Sequence, residues 1–135
     1  MMRTTQYLPL ALSAFLLVSC GSDDSKSSST KFLGSCTSTV ASFTHCESWT
    51  VKTLGPDRTT DEERAGRKLI CQMLSGEWSS SKCATDVGYG VCVSSDESNG
   101  STIEKERVFL DGYDVSNAQS TCESDGGVYT APASL

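Results

Sequence analysis

Six cysteines, Cys36, Cys46, Cys71, Cys83, Cys92 and Cys122, are spread over a chain of 135 residues, and a seventh, Cys20, stands apart from them. The nearest two of the six, Cys83 and Cys92, have eight residues between them, and His45 is the sole histidine. Zinc sites require cysteine and histidine pairs a few residues apart. That spacing is absent, so no metal and no cofactor is expected. An even number of cysteines in a small exported domain reads instead as a framework of three disulfides. The composition agrees. From Phe32 to Leu135, 19 of 104 residues are Leu, Ile, Val or Phe, about 18% and below the roughly 20% at which a chain stops burying enough apolar surface to fold unaided. Covalent cross-links have to supply what the core lacks.

The apolar run Leu8–Val18, interrupted by Ser13 and preceded by Arg3, has the parts of a secretory signal. It is too short for a membrane span, which takes about 20 apolar residues. It ends in Leu17-Val18-Ser19-Cys20 followed by Gly21. This stretch resembles the lipobox of bacterial lipoproteins. The resemblance implies that Cys20 receives a diacylglyceryl thioether, that the chain is cut before it, and that the new N-terminus is acylated. Several acyl chains anchor stably where one does not. Gly21 in place of Asp favours, by the family's sorting rule, the outer membrane of the cell envelope. The expected organisation is a signal peptide over residues 1–19, the lipidated Cys20 with a Ser/Asp-rich flexible tether to residue 31, and a domain over 32–135. Such a tether reaches on the order of 20 Å. Without Arg3 the mature chain carries ten basic and seventeen acidic residues, a charge of −7. An acidic domain repels phosphate backbones, so no nucleic-acid partner is expected.

Within the domain, Cys71-Gln-Met-Leu-Ser-Gly76-Glu-Trp78 overlays Cys122-Glu-Ser-Asp-Gly-Gly127-Val-Tyr129, and Gly34-Ser35-Cys36 overlays Gly90-Val91-Cys92. A duplicated unit follows, with copies over about 32–84 and 85–135. Phe43–Val51 alternates as a strand does. Tyr89–Val93 and Ile103–Leu110 are β-prone runs separated by Ser94–Thr102, which contains the hairpin signal Asn99-Gly100. Thr60-Asp61-Glu62-Glu63 offers a capping box for a first helix, with Ala65, Leu69, Ile70, Met73 and Leu74 on one face and Gly76 at its end. Ser116 and Gln119 repeat the box for a shorter second helix, stopped by Gly126-Gly127, with Asp114 an alternative cap. The expected fold is a small disulfide-rich α+β domain: two β-hairpin–helix units forming an antiparallel sheet with two helices. The arrangement is similar to small cysteine-rich domains of bacterial surface lipoproteins, a group to which no activity is attached.

If each unit closes on itself, the bonds are Cys36–Cys71 and Cys92–Cys122, with Cys46–Cys83 by remainder, one of fifteen connectivities. On an ideal helix Cys71 points about 150° away from the apolar stripe. Either the helix is flanked on both sides or it ends before Cys71.

Chemistry is sparse. His45 beside Cys46 makes a nucleophilic pair only with a free thiolate, and an even cysteine count argues that Cys46 is bonded. Asp96–Gly100 and Asp111–Asp114 lack the calcium-loop pattern. Asp61, Glu62 and Glu63 sit where a helix dipole favours carboxylates. No catalytic residue is expected. The expected function is a lipid-anchored, non-catalytic envelope module, attached to the membrane through Cys20, that binds an envelope protein or has a structural role. The alternative is an inhibitor-like or small-ligand-binding surface domain presenting Ser94–Thr102 as a loop.

Overall fold

The computed structural model describes residues 30–133, so Cys20, the signal and nearly all of the tether lie outside the described residues. One hairpin comes first in each half of the described chain. β1 (Lys31–Val40) and β2 (Phe43–Thr53) turn at Ala41-Ser42, and β4 (Val91–Ser98) and β5 (Ser101–Phe109) turn at Asn99-Gly100. Both residues of each turn have positive φ, 50° and 71° in the first and 52° and 81° in the second. That is the geometry whose twist matches the flanking strands. Asn99-Gly100 announces it, whereas Ala41-Ser42 does not, because neither residue favours the left-handed region. The nine residues Ser94–Thr102 are therefore largely strand with a two-residue tip, not a presented loop.

Each hairpin is followed by a helix and a short strand: α1 (Thr60–Met73) and β3 (Glu77–Ser79), then α2 (Val115–Ser124) and β6 (Val128–Thr130). The six strands form one antiparallel sheet in the order β3-β1-β2-β5-β4-β6. This order reads the same from either edge once the two units are exchanged. The α+β disulfide-rich architecture expected from the sequence is the one found.

A single row of cross-strand partners shows how the fold is built. Trp78, Cys36, Glu47, Arg107, Cys92 and Tyr129 lie side by side from edge to edge, so their side chains share one face. Cys36 bonds Cys71 of α1 and Cys92 bonds Cys122 of α2, which pins both helices to that face. Each disulfide lies in a small core. One contains Leu33, Trp49, Val51 and Ile103 with Trp78 packed against it, and the other contains Phe109 and Ala118 with Tyr113 and Tyr129. On the opposite face Cys46 bonds Cys83. That bond fastens the β3–β4 connection over Val108, where Cys83 N donates to Ser48 Oγ (2.9 Å) and Ser35 Oγ donates to Ser81 O (2.6 Å). These are the three pairs that the duplication suggested.

The repeated Cys-x4-Gly-x-aromatic spacing now has a steric reason. Gly76 and Gly127 have ordinary φ. A Cβ on Gly76, however, would lie 2.6 Å from Cys36 Sγ and 3.0 Å from Cys71 Sγ, and one on Gly127 would meet Cys92 and Cys122 Sγ. The chain leaves each helix by crossing its own disulfide. Two residues later Trp78 covers Gly34 and Tyr129 covers Gly90, where a Cβ would clash with atoms of the ring. Gly76→Ala is accordingly expected to cost about 2 kcal/mol by overpacking, read as a lowered urea midpoint of the oxidised protein. In the Cys36→Ala/Cys71→Ala background the cost should fall, because the obstructing sulfurs are gone, but not to zero, because Thr37 O would still lie 3.0 Å from the added Cβ. An undiminished cost there would refute the assignment.

The helix expectations need correction. α1 is capped by Thr59, whose Oγ1 accepts from Glu62 N, one residue before the expected cap. Glu63 does not close a capping box. It is buried, accepting from Arg58 Nε (2.8 Å) and Ser101 Oγ (3.1 Å). α2 starts at Asp114, which exchanges hydrogen bonds with Asn117 in a complete capping box, so Ser116 and Gln119 lie inside the helix. The largest correction concerns the face that α1 buries. The helix runs through Cys71 to Met73 and docks with Glu63, Arg67 and Cys71, while Leu69, Ile70, Met73 and Leu74 are exposed. The Cys36–Cys71 bond and the polar anchors, including Arg64 Nε donating to Leu33 O (2.9 Å), set the rotation of the helix against its hydrophobic pattern.

Candidate functional site

β2 and β5 form the floor of a valley between the two helices. Glu47 and Arg107 are direct partners in their ladder. Arg107 donates to Glu47 Oε1 from Nε (3.1 Å), with Nη2 3.0 Å from the same oxygen, and Nη1 donates to Asp125 at the end of α2 (2.9 Å). On the other side of Glu47, His45 Nε2 lies 3.1 Å from the same Oε1, and Ser38 Oγ lies 3.4 Å from that nitrogen. A chain Asp125–Arg107–Glu47–His45–Ser38 thus crosses the valley floor, ending beneath Ile70 and Leu74 of α1.

The electrostatics follow from this packing. Burial acts to raise the Glu47 carboxyl, but the His45 hydrogen bond and the charges of Arg107 and Lys105 outweigh it, and the pKa falls from 4.5 to about 2. For Arg107, burial acts to lower the pKa, and Glu47 and Asp125 more than offset it, so the guanidinium is raised. The pair is ionised throughout the physiological range.

His45 and Glu47 are therefore brought together, as a cleft-based enzyme would require, with Ser38 beside them. The geometry differs from a Ser–His–acid relay. There the serine and the carboxylate occupy opposite ring nitrogens, whereas here both meet Nε2, and Nδ1 is buried with no partner among the described residues. Ser38 itself is buried, which denies a substrate access to its hydroxyl. The arrangement holds two strands and α2 in register.

The remaining sequence candidates are dispersed. Asp61 pairs with Arg64, and Glu62 with Arg58. Asp96 pairs with Arg67 (3.4 Å), whose guanidinium lies 5.7 Å over the Trp49 ring. Glu97 accepts from Thr102 (2.8 Å) across the hairpin. Among the described residues no group of His, Cys, Asp or Glu is placed to hold a metal ion. An open groove of about 470 Å³ runs between α1 and the β4–β5 hairpin, lined by Arg58, Glu63, Arg67, Ile70, Asp96 and Asn99. Its two arginines are each neutralised by the carboxylates just named.

What the sequence expectation missed is the outer face of α1. When the helices are overlaid on Cys71 and Cys122, Leu69, Ile70, Met73 and Leu74 fall on Ser120, Thr121, Ser124 and Asp125. The same position in the same fold is built from polar residues in one copy and from large apolar ones in the other. The overlay could be read from sequence, but only with the helix rotation does it become an exposed surface. No protein-family model, curated protein or solved structure matches this chain.

Proposed function

We propose that the chain is a lipid-anchored cell-envelope protein whose disulfide-stapled domain acts by association, as a partner-binding or structural module and not as a catalyst. The observation that carries this reading is the outer face of α1, where Leu69, Ile70, Met73 and Leu74 are exposed together. The lipobox-like Leu17–Cys20 supports anchoring, with Gly21 favouring the outer membrane, and three disulfides suit an oxidising compartment.

The anchor is tested by growing cells with labelled palmitate and fractionating the envelope. Label at Cys20, lost in Cys20→Ser, is the expected result. A wild type that takes up no label would refute it. Association is tested by crosslinking in intact envelopes, comparing wild type with Met73→Glu. Adducts of the wild type that are absent from Met73→Glu are expected. An adduct pattern identical in the two would remove α1 as the association surface.

A further inference from the structure

The association surface rests on the reading just given, and its occupant can be named. We infer that α1 packs against α1 of a second copy of this chain, forming a twofold dimer through Leu69, Ile70, Met73 and Leu74.

The exposures of these residues, 57, 46, 75 and 44%, amount to roughly 400 Å² of apolar surface, the size of patch that on a monomer is commonly functional. They sit at spacings of one, four and five, so the patch is continuous, with Leu69 and Met73 outermost and Ile70 and Leu74 at its edge over the valley. The fold does not demand it. α2 occupies the equivalent place with Ser120, Thr121, Ser124 and Asp125 and is pinned by an equivalent disulfide.

Among the described residues the other exposed large apolar side chains, Val40, Phe43, Leu54, Val87, Tyr89 and Val128, lie one or two to a segment, whereas these four share one helix. The sheet's edges, β3 and β6, are three residues each, too short to template a further strand. On the face opposite the helices the connection held by Cys46–Cys83 covers Val108, and beyond it Lys52 and Glu104 form an exposed ion pair. The remaining surface is self-compatible in charge. From Leu69 to Gly76 the residues are Leu, Ile, Cys, Gln, Met, Leu, Ser and Gly, with no ionised side chain. Two copies of a strongly acidic protein therefore meet here without burying like charges. A lipid surface is the poorer occupant, because net charge −6 opposes approach to anionic headgroups. Two patches face to face cover roughly 800 Å², and the polar rim brings the total near the 1,000 Å² at which a specific interface becomes plausible.

The test is sedimentation velocity on the oxidised Cys20→Ser chain, which has no free thiol to cross-link copies, from about 1 to 200 µM. A concentration-dependent shift from monomer to dimer is expected. Met73→Glu and Leu69→Glu should each weaken it at least tenfold, with unchanged disulfides and circular dichroism, while Ser124→Glu on α2 leaves it unchanged. A wild type that stays monomeric at 200 µM overturns the inference, as does a dimer insensitive to Met73→Glu. A monomer that nonetheless forms Met73-dependent adducts with another protein in envelopes overturns the dimer alone and leaves the association module standing. A monomer whose envelope adducts ignore Met73 overturns both.

Discussion

Replacing Cys36 and Cys71 together by alanine is expected to lower the stability of the oxidised protein by about 4 kcal/mol. The bond closes a loop of 35 residues, and the chain-entropy relation gives about 4 kcal/mol for a loop of that length. Small domains have total stabilities of only about 5–15 kcal/mol, so this is a large share. The loss has a second component, because the disulfide is also the apolar centre on which Trp49, Val51 and Ile103 pack. It further holds α1 in a rotation that the helix's own hydrophobicity opposes. Without the bond, α1 is free to turn Leu69 and Met73 inward. The measurement is guanidinium unfolding under non-reducing conditions, beside hydrogen exchange of α1 amides. A loss of less than about 1 kcal/mol with unchanged α1 protection would show that the polar anchors at Glu63 and Arg64 suffice.

Glu47→Gln is expected to cost about 3 kcal/mol at neutral pH and to flatten the acid limb of the stability profile. The sign follows from the depressed carboxyl. Its pKa is about 2 in the folded protein against 4.5 ordinarily, so between those values the unfolded chain binds the proton and the folded chain does not. Stability therefore rises with pH across this window. The contribution is fully present above about pH 4.5 and is lost as pH falls toward 2. A shift of this size corresponds to about 3 kcal/mol. Urea unfolding at pH 7, 4 and 3 checks it: the wild type should weaken steeply and Glu47→Gln should weaken less. Parallel profiles for the two proteins would show that Glu47 has no special part.

Much of the architecture was legible in the residues. Six cysteines without metal spacing implied three bonds, and the twice-used Gly-x-Cys and Cys-x4-Gly-x-aromatic motifs implied two copies of one unit. Those motifs are readable because they encode close contacts: a glycine beneath a ring and a glycine against a disulfide. Such contacts tolerate almost no substitution, so they leave a mark at fixed spacing. Local hydrogen-bonding preferences were legible to within a residue or two, as the shift of the first cap from Thr60 to Thr59 shows.

Two things were decided by tertiary structure alone. The chain Asp125–Arg107–Glu47–His45–Ser38 joins residues up to 87 positions apart, and its existence depends on the register of β2 against β5. A one-residue slip would send Glu47 and Arg107 to opposite faces. The rotation of α1 depends on where Cys36 lies in the sheet, and no periodicity within the helix reports that. The apolar stripe was visible in the sequence; that it faces outward was not, because a covalent bond and buried polar anchors outweigh the burial of four side chains.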